Sequence, residues 1–373
     1  MECYLDHAAT TPMRPEAVAA MLPFLTDRFG NPSGVHRVSR TARAALDEAR
    51  EVVAECLGAQ PGEVVFTAGG TEADNLAVTG VHALARGRVV CAATEHHAVL
   101  HACNALGGTT VPVDGDGVID LDALARALDE SVTVVAVMLA NNEVGTVQPL
   151  AEVAEVVRAR APRARLHADA VQAFPWLDVA ALAAPADLVA VSAHKFGGPK
   201  GVGALVVRSG VQVAPIVHGG GQERDRRSGT HNVAGIAAMA AAMRATVETR
   251  AATVERVGRL RDRLADGLLA VVPGAVETGG RATKVAGNCH VRFLGVESEA
   301  LLLLLDEAGV YGAAGSACAA GAVEPSHVLT AMGVAPDEAR ASVRLSLGTT
   351  TNDDDVDLAL KAVPEAVARL RGQ

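Results

Sequence analysis

The run 132–140, VTVVAVMLA, constrains the fold of this chain more than any other stretch. It carries no charge and is rich in β-branched residues, so it reads as a strand covered on both faces. Strands of that kind belong to parallel sheets flanked by helices. Shorter apolar runs repeat the signal at 64–67 (VVFT), 88–93 (RVVCAA), 188–191 and 204–207, with another strand ending near 166–172. Helical patterns fill the gaps. The segment 41–57 places apolar residues at helical spacing with charges between them and stops at Gly58, a further helix covers 151–160, and 234–272 is helical and Ala-rich. Strands alternating with helices predict an α/β chain with a mostly parallel sheet between helices, and 373 residues suffice for a second domain. From about residue 252 the chain continues as alternating helices and strands without further phosphate-binding signals, and we place the second domain there.

Open sheets of this type bind ligands at the carboxyl ends of their strands, and the polar residues of this chain collect there. The segment 192–201, SAHKFGGPKG, follows one apolar run and precedes another. Ser192 and His194 can reach a phosphate, its glycines let backbone approach a ligand, and the Lys195 amine can form a Schiff base with an aldehyde. Gly69-Gly70-Thr71-Glu72 leads from a strand into a helix, and such a helix start presents unpaired N–H groups to an anion. Gly70, Thr71 and Glu72 are therefore candidates for a phosphate cradle, with Thr71 and Asp74 in the pattern of a capping box. His96 and Asp169 also stand at strand ends. A flat imidazole there can stack on a ring and exchange protons near neutral pH, and a carboxylate can keep a ring nitrogen protonated.

Composition narrows the alternatives. Half the residues are hydrophobic and only 2% aromatic, so the cores are built from Ala, Val and Leu. The net charge is −10 with no block of like charge, which argues against a direct nucleic-acid partner. The start MECYLD has neither a basic nor an apolar leader, and no uninterrupted apolar run reaches the ~18 residues of a membrane helix. No membrane partner is expected, and the expected location is the cytoplasm. The cysteines at 3, 56, 91, 103, 289 and 318 form no C-x-x-C pair, so neither a zinc site nor a disulfide framework is expected. The histidines at 96, 97 and 101 lack a carboxylate or cysteine at ligand spacing, so no metal is expected there either.

SAHKFGGPKG resembles the S-x-H-K-x-x-G-P-K-G segment of class V pyridoxal phosphate (PLP) enzymes, specifically the cysteine desulfurases of the NifS/IscS type. LDHAATTP at 5–12, NPS at 31–33, the Thr-Glu-His ending at His96, NNEVG at 141–145, DAVQ at 169–172, GGGQERDRRSGT at 219–230, GSAC at 315–318 with PSHVL at 325–329, and SVRLSLG at 342–348 follow the same family in order. The resemblance implies the PLP type I fold, with a large domain at 13–251 and a small domain made of 1–12 and 252–373, and a homodimer. It implies that Lys195 carries PLP, that Gly70, Thr71, Glu72, Ser192 and His194 surround the phosphate, and that Thr230 completes the phosphate pocket of the neighbouring subunit. His96 would stack on the ring, Asn142 would lie beside cofactor and substrate, Asp169 would face the ring nitrogen and Gln172 the ring oxygen. Asn31, Asn142 and a bidentate Arg344 would hold L-cysteine. Cys318 would take its sulfur as a persulfide, assisted by a base such as His96, for an Fe–S scaffold or another sulfur-acceptor protein. A class V C–S lyase or selenocysteine lyase would share all but the Cys318 chemistry, and a PLP-bearing scaffold that recruits partners is the alternative outside enzymes. Three departures stand out: His7, where relatives often carry Asn, Phe174-Pro175-Trp176, in place of the usual G-K or G-R, and Ala313-Ala314, where Ser or Thr is often found.

Overall fold

A computed structural model of the chain describes residues 2–315 and 325–372. Seven strands form the central sheet in the order Val64–Thr67, Gly203–Val207, Leu188–Ser192, Arg165–Asp169, Val132–Ala136, Arg88–Ala92 and Thr109–Val111. Only Gly203–Val207 runs against the others. Six carboxyl ends therefore share one edge.

Period-two alternation explains why the sheet is buried twice. Val189 and Val191 face one core, with the helices Pro15–Leu25, Arg37–Cys56 and Leu150–Arg160. Leu188 and Ala190 face the other, with Gly70–Ala85 and His97–Ala105. Each fully buried Val or Leu contributes about 1.5–3 kcal/mol, so many small apolar residues replace the few aromatics a core of this size usually holds.

The strand expected over 132–140 stops at Ala136 in regular pairing, yet Val137 and Leu139 still donate to His167 and Asp169 carbonyls on the neighbouring strand. Its apolar signal was real but the ladder loosens where the site begins. The helix expected from 41 begins at Arg37, because His36 caps it through Nδ1 and its first turn, RVSR, carries no apolar stripe.

A third core holds Leu264, Val291, Leu345 and Val363 with Cys3 and Leu5 of the N-terminal arm. Its sheet has the order Ser342–Ser346, Asn288–Phe293, Ala275–Glu277, all antiparallel, and the arm joins through parallel pairing of Cys3–Tyr4 with Val310–Tyr311. One helix, Val233–Val271, contributes Ile236 to Met243 to the large-sheet core and Val257 to Leu268 to this one. The boundary expected at 251/252 falls inside that helix.

Candidate active site

A cavity of about 330 Å³ opens at the carboxyl edge of the large sheet and is closed on its other side by Arg344 and the N-terminal arm. Gly70, Thr71, His96, Asn142, Asp169, Gln172, Ser192, His194, Lys195 and Arg344 all line it. Residues spread over 275 positions of sequence meet because those of the large sheet follow its strand ends, while Arg344 reaches in from the middle of the strand Ser342–Ser346.

At one end is the start of the helix Gly70–Ala85. Gly69 adopts φ 151°, a conformation favouring glycine, and an added Cβ there would project toward Ser192 Oγ at 3.8 Å. No side chain caps this helix. The expected Thr71–Asp74 box is absent because Asp74 points inward to His167 Nε2, 3.0 Å away. An uncapped helix start beside Ser192 and His194 is a cradle for a phosphate. Glu72 does not line the cavity, and its carboxylate accepts from Arg227 Nε at 2.7 Å and Ala68 N at 2.9 Å.

At the other end Asp169 is buried at the end of its strand, with Oδ1 accepting from Val171 N at 2.9 Å. Burial first, then the charge of Asp74, push its pKa up to about 7, and the bond from Val171 N, His167 and Lys195 offset this only in part. A carboxylate so placed favours a cationic partner, which is what a protonated pyridine nitrogen offers. The cavity therefore fits PLP at both ends, phosphate cradle and ring-nitrogen acid, with Lys195 between them.

Lys195 is aimed by the short 3₁₀ turn Ala193–Lys195, whose continuation needs the left-handed Gly197 at φ 87°, packed on Arg14. Its Nζ donates to the carbonyls of Ala8 at 2.6 Å and Ala9 at 2.9 Å. Gln172 Nε2 donates to the same Ala8 carbonyl at 2.6 Å. The arm's backbone carbonyls were not legible as site groups in sequence, where only side chains advertise chemistry.

Two expectations change. His96 caps the helix His97–Ala105, its Nδ1 accepting from Ala98 N at 3.1 Å, which leaves the proton on Nε2. Burial, then Lys195 and the neighbouring histidines, lower its pKa to about 4. At neutral pH it is thus a neutral ring, placed to stack and to donate through Nε2. Arg344 is 3% exposed, and its terminal nitrogens already donate to Asp6 Oδ1 at 2.8 Å and Asn142 O at 2.9 Å. Its Nε is buried without a partner among the described residues, so the guanidinium does not present an open fork.

Asn31 and Thr230 do not join this cavity. Asn31 is exposed and its Oδ1 accepts from Ser33 N at 3.0 Å, a local turn that explains the NPS pattern. Thr230 is exposed at the end of a loop anchored by Glu223, whose carboxylate receives Arg50 at 2.6 and 2.8 Å, His231 Nε2 at 2.7 Å and Phe66 N at 2.9 Å. Cys318 lies outside the described residues. On one side of that segment Gly315 lines the cavity, and on the other Ser326 donates to Glu143, itself on the cavity wall. His97 stacks on His101 with ring centroids 4.8 Å apart and lies 4.5 Å from His327. Among the described residues no group of three or more His, Cys, Asp or Glu is arranged to hold a metal.

The family model of class-V aminotransferases matches residues 3–359. The chain belongs to the class-V aminotransferase family. The IscS-like cysteine desulfurase of Mycobacterium tuberculosis is 47% identical over 99% of this chain and 97% of its own length. Cysteine desulfurase IscS of Methanosarcina thermophila is 43% identical over 99% and 92%. A solved structure described as a NifS-like protein superposes with a TM-score of 0.93 at 34% identity, covering 99% of this chain and all of that one. This class-V enzyme is thus of the NifS/IscS type, PLP-dependent and of type I fold. No helix among the described residues is long and apolar enough to cross a membrane.

Proposed function

We propose that this class-V enzyme is a cysteine desulfurase that converts L-cysteine to L-alanine and passes the sulfur to Cys318 as a persulfide. The observation that carries this reading is the joint placement of Lys195, Asp169 and Arg344 on one cavity, in a chain that shares its whole length with cysteine desulfurases. When bound, PLP supplies a protonated ring that draws electrons away from bonds at the substrate carbon. Arg344 holds the substrate carboxylate, with Asn142 beside it. Lys195 Nζ removes the Cα proton and returns a proton as product forms. Asp169 balances the positive charge of the ring nitrogen. His96 stacks as a neutral ring, and Ser192, His194 and the Gly70 helix start hold the phosphate. The Cys318 thiolate attacks the substrate sulfur, so the C–S bond breaks as an S–S bond forms. Cysteine loses one sulfur atom to become alanine, and the Cys318 thiol gains it.

The exposed Thr230, outside this chain's own cavity, supports a homodimer in which Thr230 closes the neighbour's phosphate pocket. A sulfur-acceptor protein, serving Fe–S clusters or thiolated tRNA, would collect the persulfide in the cytoplasm.

The test is Cys318→Ala assayed with cysteine and excess thiol. Alanine formation should collapse while the cofactor's absorption and its response to cysteine remain. A well-oriented tethered thiolate can reach an effective molarity on the order of 10⁵ M, which millimolar solution thiol cannot replace. Near-normal activity, or a persulfide found by mass spectrometry on Cys103 or Cys289, would turn the assignment toward a C–S or selenocysteine lyase.

A further inference from the structure

Two of the three departures from the family pattern, His7 and the Phe174-Pro175-Trp176 stretch, meet at one cavity. His7 and Trp176 both line a second cavity, of about 40 Å³, on the far side of Ala8, Gln172 and Lys195 from the phosphate cradle. Arg14 and Arg250 line it too, and none of its lining residues is Asp or Glu. Arg250 Nε and Nη2 are buried and have no hydrogen-bond partner among the described residues. Its guanidinium carbon lies 5.2 Å from the centroid of the Phe174 ring, the first residue of the unusual Phe174-Pro175-Trp176 stretch. Burial lowers its pKa, and the acid that acts on it, Asp178, is exposed and lies off the cavity wall.

Two buried guanidinium nitrogens with unmet donors beside an acid-free cavity are costly unless an anion joins them. We propose that this cavity is a second ligand site, for a small monocarboxylate. The space holds about three water-sized groups, taking roughly 10–15 Å³ for each, which matches a carboxylate with one or two carbons and excludes larger acids. Arg250 and Arg14 supply donors for the planar carboxylate, and the Trp176 indole supplies an apolar wall for the short chain. With no acid to receive an ammonium, the site discriminates against amino acids such as cysteine and alanine. Ala8 separates the two cavities, and its carbonyl accepts from both Lys195 and Gln172, so occupancy of one is in contact with the wall of the other.

Trp176 is the chain's only tryptophan, so its emission reports on this cavity in the full-length, cofactor-loaded protein. Formate, acetate and inorganic phosphate are each titrated at constant ionic strength against chloride. Formate or acetate should change the Trp176 emission saturably, without changing the cofactor's visible absorption, and phosphate should not. Arg250→Gln should weaken the carboxylate response about tenfold or more, as expected for lost hydrogen bonds to a charged group, and Arg250→Lys should restore part of it. Arg344→Lys, which alters the substrate's carboxylate contact, should leave the response in place. Cofactor absorption and circular dichroism establish that each variant is folded, and Arg14→Gln replaces Arg250→Gln if the latter is not. No saturable response, an undiminished response in the cavity variants, a response to phosphate but not carboxylates, or one lost with Arg344→Lys would each overturn the proposal.

Discussion

Arg344 Nη2 donates to Asp6 Oδ1 at 2.8 Å, joining the third-core sheet to the N-terminal arm at the rim of the active site. This contact fixes the guanidinium plane before substrate arrives. Arg344→Lys cannot reproduce it together with the bond to Asn142 O, so KM for cysteine should rise roughly ten- to a hundredfold with a smaller change in kcat. Asp6→Asn keeps an acceptor at the same place and should raise KM less. Steady-state alanine formation measures both, and an unchanged KM in Arg344→Lys would contradict the assigned substrate contact.

Lys195 is the lysine inside the cavity, whereas Lys200 and Lys361 are exposed and Lys284 Nζ is held by Glu277 and the Thr278 carbonyl. Borohydride reduction of the yellow protein followed by peptide mapping should place the pyridoxyl group on Lys195. Lys195→Ala should leave cofactor that gel filtration removes and abolish alanine formation. Label on Lys200 or Lys284 would overturn the assignment.

Asp169 predicts a conflict between stability and activity. Its folded pKa of about 7 lies above the usual value of 3.8, so folding favours its neutral form. In cofactor-free protein its ionisation destabilises progressively as pH rises from about 4 to 7, and the penalty is complete above that. Asp169→Asn keeps an acceptor for Val171 N and carries no charge. At pH 8 the cofactor-free variant should melt a few degrees higher than cofactor-free wild type, while its alanine formation should fall by at least two orders of magnitude. Calorimetry at pH 4 and pH 8 checks the sign, since the difference should vanish at the lower pH.

Glu223 titrates in the opposite sense. Burial alone would raise its pKa, but Arg50, His231 and Phe66 N together hold it down to about 2. Its contribution is present above about pH 4.5 and is lost as pH falls toward 2, on the order of 3 kcal/mol in all. Arg50→Leu leaves the carboxylate buried without its cation and should cost about 3–5 kcal/mol at pH 7. Because Glu223, Arg224 and Asp225 all adopt positive φ between 51° and 63°, the loop leading to Thr230 should lose its shape with it. Denaturant unfolding at pH 7 and pH 3 should show the wild-type advantage shrinking at the lower pH.

Much of this was legible in the sequence, for identifiable reasons. Apolar runs ending in glycine or polar residues marked strand ends, and strand ends are where Lys195, Asp169, His96 and Asn142 stand. Side chains whose partners come from far along the chain were not legible. Glu72 pairs with Arg227, 155 positions away, and Asp74 pairs with His167, 93 positions away, so a helix-start pattern misread both. The low pKa of His96 follows from burial and then from Lys195 and the neighbouring histidines, none of which the residue's identity encodes. Asn31 carried the family pattern yet serves its own turn in this chain.

The helix Val233–Val271 runs unbroken through 39 residues, about 58 Å at 1.5 Å per residue. There is consequently no linker at which the gene can be cut to give a separate large domain. Truncation near 251 would leave the last turns of a solvated stub, and truncation beyond 271 would expose Val257, Leu264 and Leu268 with nothing to cover them. The rod also makes any movement of the Arg344 sheet a matter of bending stiffness, so a glycine pair placed near Thr249 would act as a mechanical fuse between substrate grip and cofactor grip.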